Sequence, residues 1–173
     1  GYFLAKVNVV KQTTSTVLAQ IDSGYNQLIR PMYYNSYHNI ENISNTEGKE
    51  RFYSVVGYIC ETDTFANNRR IKEISEGDIL SFRNAGAYCF SMASNYNSRY
   101  KPAEVLYYNN ESYLIRKAET FKDLLNKIPD DSEVLFEYSC FIFGDHYGEQ
   151  PRIINKSELK DYEEDFGEDI TDS

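Results

Sequence analysis

Short runs of strand-forming residues fill residues 1–118 and favour a β-sheet domain over any helical fold. Val, Ile, Tyr and Phe are abundant there, and apolar runs of five to ten residues are broken by Asn, Gly, Ser and Asp. Such runs suit a half-buried pleated surface, and the breaks suit turns. The pattern predicts strands at 2–10, 17–22, 52–60, 78–83, 103–108 and 112–117.

Turn and helix signals complete this prediction. The Asn109-Asn110 pair is expected to form a tight hairpin turn, because Asn tolerates positive φ. Thr120 is a suitable N-cap for a helix at 121–127, since an acidic residue three positions later completes a capping box. With a second short helix near 87–93, we expect a mainly β fold: a Greek-key-like barrel or sandwich with a few short helices.

Charge divides the chain into a near-neutral body and an acidic extension. Residues 1–128 carry 15 basic and 13 acidic side chains, whereas residues 129–173 carry 3 basic and 14 acidic side chains. We therefore expect a β-domain at 1–128 and an extension at 129–173. The extension contains a candidate helix at 157–166 and a strand at 133–143, which we expect to pair with an edge of the β-domain. Neither part shows the clustered basic surface of a nucleic-acid binder.

The distribution of Cys and His argues against a disulfide scaffold and against a metal site. Cys60, Cys89 and Cys140 are far apart and form no Cys-x-x-Cys pair, and the only histidines are His38 and His146. Reduced thiols are therefore the default. The sequence contains no run of eighteen apolar residues that could span a membrane, and the first ten residues do not resemble a signal peptide. We expect a cytoplasmic protein without a membrane partner.

The segment "NAGAYCFSMASNYNSRYKPAEVL" at 84–106 is unusually polar, aromatic and compact. Gly86 permits close approach of the backbone, and Tyr88 supplies a phenol. The small residues that follow Tyr88 would let a short turn lie flat against a planar, charged ligand. The alternative interpretation is a well-packed, Tyr-rich loop without a ligand.

This segment resembles the carboxy-terminal domain signature of the fold-type-III pyridoxal-phosphate decarboxylases, and within that family the diaminopimelate branch most closely. Three further blocks match in the family's order: "IDSGYNQLIRPMYYNSYHNI" at 21–40, "VVGYICETDTF" at 55–65 and "RKAETFKDLL" at 116–125. Together the four blocks cover roughly residues 1–128. The resemblance implies the barrel-like β-domain that closes alanine racemase-like and group IV decarboxylases.

The resemblance also implies a role for each matching residue. Arg30 and Tyr34 hold the distal carboxylate of the substrate, for which a guanidinium fork is well suited. Glu61 binds the distal ammonium group. Tyr88 lies against the pyridoxal phosphate and contacts the substrate. Cys60 donates the proton, and it does so in the active site of the neighbouring subunit of a homodimer.

The resemblance has departures as well as specific support. The family block reads Cys-Glu-Ser-x-Asp, whereas the acid here, Asp63, falls one position early, and Cys89 replaces a common Gly. Glu61 favours the diaminopimelate branch, because ornithine-type relatives carry Asp at that position. The (α/β)8 barrel that anchors the cofactor takes ~250 residues and is not in this chain.

The implied function is the carboxy-terminal domain of an enzyme that converts meso-2,6-diaminopimelate to L-lysine and CO2, inactive without its barrel. One alternative keeps the reaction and changes the substrate to another basic amino acid. A second alternative is a catalytically dead, decarboxylase-like binding or regulatory module. The intact Cys60, Glu61 and Tyr88 argue against decay, but the missing barrel leaves that alternative open.

Overall fold

The computed structural model describes residues 1–60, 63–126, 133–135 and 153–155. The chain divides into two compact units, Gly1–Pro102 and Ala103–Ser173. The predicted domains at 1–128 and 129–173 follow the reach of the family signature rather than contacts, and they stay predictions. No helix in the described part of the chain is long and apolar enough to cross a membrane.

The first unit is built on one six-stranded sheet that curls into a nearly closed barrel. Its strands are β1 (Tyr2–Gln12), β2 (Val17–Ile21), β3 (Ile40–Asn42), β4 (Glu50–Val56), β5 (Thr64–Lys72) and β6 (Ile79–Arg83). They lie in the order β3-β6-β1-β2-β4-β5; β2 runs parallel to β4, and the other neighbours are antiparallel. Strands that pair are often distant in the chain, as in a Greek key. The mainly β fold class is confirmed.

β1 shows why the apolar runs form strands with one buried face. Ala5 and Val7 are buried, whereas Leu4 and Lys6 between and beside them are exposed. This period of two is what a sheet with one solvent face requires. The pairing register with β2 shifts between Val7 and Val9, and such a bulge bends a strand. β1 can therefore pair with β6 along its first half and with β2 along its second half.

Phe82 on β6 stands at the centre of the core. Its side chain is fully buried, and its ring centre lies 5.7 Å from that of Phe3 and 5.3 Å from that of Phe65. Phe3 belongs to the neighbouring strand β1, whereas Phe65 belongs to β5 at the far end of the sheet order. The contact between Phe82 and Phe65 therefore holds together β6 and β5, which no backbone ladder joins.

The second unit contains a hairpin, a short helix and a second strand pair. These elements are β7 (Glu104–Tyr108), β8 (Glu111–Arg116), α2 (Phe121–Leu125), β9 (Glu133–Leu135) and β10 (Ile153–Asn155). Asn109 and Asn110 turn the hairpin with φ of 49° and 65°. The helix follows Thr120, whose backbone N–H donates to the Asp123 carboxylate at 2.8 Å. Both the turn and the helix start are confirmed.

Some expectations about the elements are corrected by the structure. The strand expected at 52–60 ends at Val56. Gly57 follows it in a tight loop, where a Cβ would lie only 2.0 Å from the carboxylate oxygen Oδ2 of Asp63. The edge strands β3 and β5 were not predicted. β9 pairs with β10, and the expected pairing of the strand at 133–143 with an edge of the β-domain stays a prediction. Residues 136–143 and the candidate helix at 157–166 lie outside the described residues.

Three short helices lie in the described residues of the first unit. They are α1 (Arg30–Tyr34) and two 3₁₀ helices, Phe90–Met92 and Tyr96–Ser98. The first 3₁₀ helix falls inside the predicted helical stretch at 87–93. α1 was not predicted, because Arg-Pro in isolation reads as a turn.

Replacement of Phe82 by Ala tests the role of the aromatic core. We expect Phe82→Ala to lower the free energy of unfolding of the chain by about 3–5 kcal/mol, because it leaves a cavity among three strands. Phe52→Ala is the matched control: Phe52 is 57% exposed on β4, and its replacement should cost less than about 0.5 kcal/mol. Urea denaturation measures both, and equal losses would contradict the assignment of the core.

Candidate functional site

Arg30 and Tyr34 are the first and last residues of α1, and they share one face of it. Pro31 occupies the first turn, where its missing N–H costs nothing, and Asn35 ends the helix in the left-handed conformation at φ 50°. Residues four apart on a helix are neighbours. The guanidinium carbon of Arg30 lies 5.6 Å from the centre of the Tyr34 ring.

Tyr88 reaches the same guanidinium from a distant part of the chain. The centre of its ring lies 5.4 Å from the guanidinium carbon of Arg30. Its backbone has φ of 61°, a left-handed conformation that is uncommon for a bulky side chain. Such outliers cost free energy and concentrate at functional sites. The structure therefore brings together three of the predicted site residues, Arg30, Tyr34 and Tyr88.

This cluster can bind an anion. Tyr34 and Tyr88 are 58% and 62% exposed, so both phenols reach solvent. Among the described residues, no carboxylate lies within ion-pair distance of Arg30. A guanidinium that contacts two aromatic rings keeps its N–H donors for a further partner. A carboxylate from outside the chain suits those donors.

The loop at residues 23–28 holds the site segments in place. Ser23 and Asn26 are almost completely buried, although both side chains are polar. The carbonyl oxygen of Ser23 accepts a hydrogen bond from the Tyr58 N–H at 3.1 Å, and that of Asn26 accepts one from the Ser94 N–H at 2.8 Å. The loop thereby joins the segment that precedes Cys60 to the segment that follows Tyr88.

Side chains of the same loop strengthen this connection. The Gln27 amide donates to the carbonyl oxygen of Tyr100 at 2.8 Å. The ring of Tyr25 lies 6.5 Å from that of Tyr33 on α1 and 5.3 Å from that of Tyr96. The role of this loop as a structural anchor was not predicted. The available signal was the polar run "SGYNQ" between an apolar strand and Arg-Pro.

The other predicted residues are only partly placed. Cys60 is exposed and directly follows the buried Ile59. Glu61 lies outside the described residues, and its predicted role stays a prediction. Cys89 is buried beside the exposed Tyr88. Within the described residues, no group of three or more His, Cys, Asp or Glu side chains could hold a metal ion.

Tyr58 has an unusual electrostatic environment beside the loop. Burial raises the pKa of its phenol above the usual value of 10.0, and the carboxylates of Asp63 and Asp22 act in the same direction. The guanidinium of Arg99, 4.4 Å from the centre of the Tyr58 ring, opposes this, as does the hydrogen bond to Asn26. The neutral phenol is thus the form that the folded chain favours.

The comparisons of this chain with known proteins agree on one family. Residues 1–86 match the family described as pyridoxal-dependent decarboxylase, C-terminal sheet domain. The chain is 46% identical over 128 residues to the diaminopimelate decarboxylase of Methanothermobacter thermautotrophicus, covering 72% of this chain and 29% of that protein. It is 46% identical over 125 residues to the diaminopimelate decarboxylase of Haemophilus influenzae, covering 72% of this chain and 30% of that protein.

Solved structures show the same relationship. The crystal structure of diaminopimelate decarboxylase from Methanocaldococcus jannaschii superimposes with a TM-score of 0.70 at 38% identity, covering 74% of this chain and 30% of that chain. A co-complex of that enzyme with L-lysine matches equally well. The chain spans less than a third of the length of these relatives.

The pKa of Tyr58 predicts a specific loss of stability in alkali. Since the folded pKa is raised, the neutral phenol contributes full stability below pH about 10, and this contribution is lost as the pH rises through the folded pKa. We expect Tyr58→Phe to reduce the fall in the free energy of unfolding between about pH 8 and about pH 11. Tyr33→Phe, at a ring that is exposed, is the control and should leave the fall unchanged. Denaturant unfolding across the pH range measures this, and identical pH profiles for both variants would contradict it.

Proposed function

Because the chain belongs to the pyridoxal-dependent decarboxylases through its C-terminal sheet domain, we propose that it is the substrate-binding and proton-donating part of a diaminopimelate decarboxylase. The complete enzyme, called the parent protein below, would also contain the cofactor-anchoring barrel. Its reaction is the decarboxylation of meso-2,6-diaminopimelate to L-lysine. This chain without the barrel would be inactive.

The arrangement of Arg30 between two phenols carries this proposal. Diaminopimelate has two amino-acid ends, so an enzyme that removes one carboxylate must grip the other. The Arg30 guanidinium contacts the Tyr34 and Tyr88 rings and has no carboxylate partner among the described residues. It can form the two parallel hydrogen bonds that a carboxylate accepts. The co-complex of a relative with L-lysine is consistent with a product that keeps this carboxylate.

The proposed roles of the remaining residues follow from their chemistry. Glu61 would pair with the distal ammonium group, so that the zwitterionic end of the substrate finds both charges matched. Cys60 would hold a proton on Sγ and deliver it to the α-carbon once CO2 has left. Its exposure in this chain suits a proton donor that acts at the surface of a partner.

Tyr88 fits a contact with pyridoxal phosphate. Its ring is exposed, its phenol can donate to a phosphate oxygen, and its left-handed backbone turns it towards Arg30 rather than into the core. When bound, the cofactor supplies an electron sink for the negative charge that forms at the α-carbon. Tyr88 would orient this group, while the barrel would anchor it.

The partners and location of the parent protein are part of the proposal. We infer a homodimer in which Cys60 of one subunit serves the active site of the other. A small-molecule substrate accounts for the charged cluster, and neither a nucleic acid nor a membrane is needed to explain it. A biosynthetic enzyme of this kind is expected in the cytoplasm.

The carboxylate-binding role predicts a defect in KM when Arg30 becomes Lys. The ammonium group keeps the charge but cannot form the bidentate fork, so we expect KM for diaminopimelate in the parent protein to rise by roughly 10–100-fold, with a smaller change in kcat. Arg51→Lys is the control, because Arg51 forms an exposed ion pair with Glu73, and its KM should stay within about twofold. Steady-state CO2 release measures both. An unchanged KM in Arg30→Lys would remove Arg30 from the substrate site.

The proton-donor role predicts the opposite pattern for Cys60. Replacement by Ala should lower kcat of the parent protein by ~10²–10⁴-fold while KM changes little, because proton donation follows substrate binding. Cys140→Ala, which removes a thiol with no proposed role, is the control. Turnover that is equal in both variants would exclude Cys60 from the reaction.

A further inference from the structure

Asp63 is a buried acid to which the family resemblance assigns no role. It lies between the Cys60 loop and β5, and its side chain is 5% exposed. Its Oδ1 accepts a hydrogen bond from the Tyr25 N–H at 2.6 Å, and its Oδ2 accepts one from the Ile59 N–H at 2.8 Å. Burial of a carboxylate is costly unless such donors compensate it, so these two bonds fix where the side chain lies.

The backbone of Gly57 also packs closely against Asp63. The Gly57 N–H donates to the carbonyl oxygen of Asp63 at 2.8 Å. A Cβ on Gly57 would lie 2.0 Å from Oδ2 of Asp63 and 2.5 Å from the carbonyl oxygen of Ser23. Only glycine permits this approach, so Gly57 and Asp63 lie in direct contact at this point.

The two hydrogen bonds lead to two different parts of the proposed site. Ile59 directly precedes Cys60, the proposed proton donor. Tyr25 lies in the loop at 23–28 that enters α1, and its ring contacts Tyr33 on that helix. One carboxylate therefore connects the backbone beside Cys60 to the backbone that leads to the carboxylate-binding Arg30.

We propose that Asp63 is a positioning residue that sets the place of Cys60 relative to the substrate-binding helix α1. The inference rests on the proposed function for its consequence in catalysis, but the geometry it describes belongs to this chain. Asp63 touches neither substrate nor cofactor in this scheme. Its effect on the reaction passes through Cys60.

Asp78 provides a matched control. Its Oδ2 also accepts a backbone hydrogen bond, from Ser75 N–H at 2.8 Å, and a side-chain bond from Asn42 at 2.8 Å. It therefore holds a turn in the same way, but this turn leads into β6 and adjoins no proposed site residue. Because Asp63 is buried and Asp78 is half-buried, the free energy of unfolding of both variants is measured beside their activity.

The first test is a double-mutant cycle in the parent protein. In Asp63→Asn the new amide presents N–H where an acceptor is needed, so the loop shifts, and we expect kcat to fall by roughly 10–100-fold with KM within about threefold. In the Cys60→Ala background the same change should cost less than about threefold, since the group it positions is gone. Asp78→Asn should leave kcat within about threefold in both backgrounds. An Asp63→Asn effect that persists in full without Cys60 would overturn the proposal.

The second test uses thiol alkylation of this chain and does not depend on activity. Peptide mapping after iodoacetamide treatment follows Cys60, which is exposed, and Cys89, which is buried and reports opening of the fold. We expect Asp63→Asn to change the rate at Cys60 by about fivefold or more relative to the rate at Cys89, whereas Asp78→Asn leaves this ratio within about twofold. Proportional changes at both thiols would mean a general loss of stability and would refute positioning.

The two tests separate failure of the inference from failure of the proposed function. If Cys60→Ala does not slow turnover, the proton-donor role is wrong, and the alkylation ratio alone decides whether Asp63 positions Cys60. Asp63→Ser, which removes the carboxylate and leaves a shorter hydroxyl, is measured in parallel. It replaces the Asn variant if that variant does not fold.

Discussion

The buried polar loop at residues 23–28 is the constraint on which the rest of the site depends. Polar groups removed from water cost about 1–3 kcal/mol each when they lack a partner, so every buried donor and acceptor must be matched. The loop achieves this through neighbouring segments: the backbone of Tyr58, Ser94 and Tyr100 supplies partners for its carbonyl oxygens and amides. Leu28, fully buried, fastens its end to the apolar core. The loop is therefore stable only when these segments are present, and their side chains are brought to one place.

The sequence was sufficient for the strands with a strong apolar period and insufficient for the others. β1, β2 and β6 alternate or run apolar residues between clear breaks, and their positions follow from burial of one face. β5, "TFANNRRIK", buries Phe65, Ala66 and Ile71 but carries a polar run between them. Asn68 at φ 48° and the register shifts against β4 interrupt the alternation there. β5 is held by its pairing with β4 and not by an alternating apolar pattern of its own. Local periodicity therefore could not predict it.

The cluster of Arg30, Tyr34 and Tyr88 was foreseeable in its residues but not in its geometry. Family resemblance named Arg30, Tyr34 and Tyr88, yet nothing in the sequence states that residues 30 and 88 share a guanidinium–ring contact. That contact requires a five-residue helix that begins with Arg-Pro and a left-handed backbone at a tyrosine. The left-handed backbone at Tyr88 is locally unfavourable, and the chain adopts it within the folded first unit. The identities of Arg30, Tyr34 and Tyr88 could thus be predicted from the sequence, whereas their positions depend on tertiary packing.

The exposure of the tyrosine rings around Arg30 affects how strongly this chain alone can bind a carboxylate. An ion pair between a guanidinium and a carboxylate in water contributes only ~0–1 kcal/mol, because solvent screens it and both side chains lose freedom. Tyr34 and Tyr88 are exposed and Arg30 is half-buried in this chain, so by themselves they would bind a carboxylate weakly. The same donors become much stronger when water is excluded. In the proposed enzyme, the cofactor-anchoring (α/β)8 barrel and the partner subunit would exclude water from these residues. Substrate selection by this domain would then take effect only where the cofactor is also present.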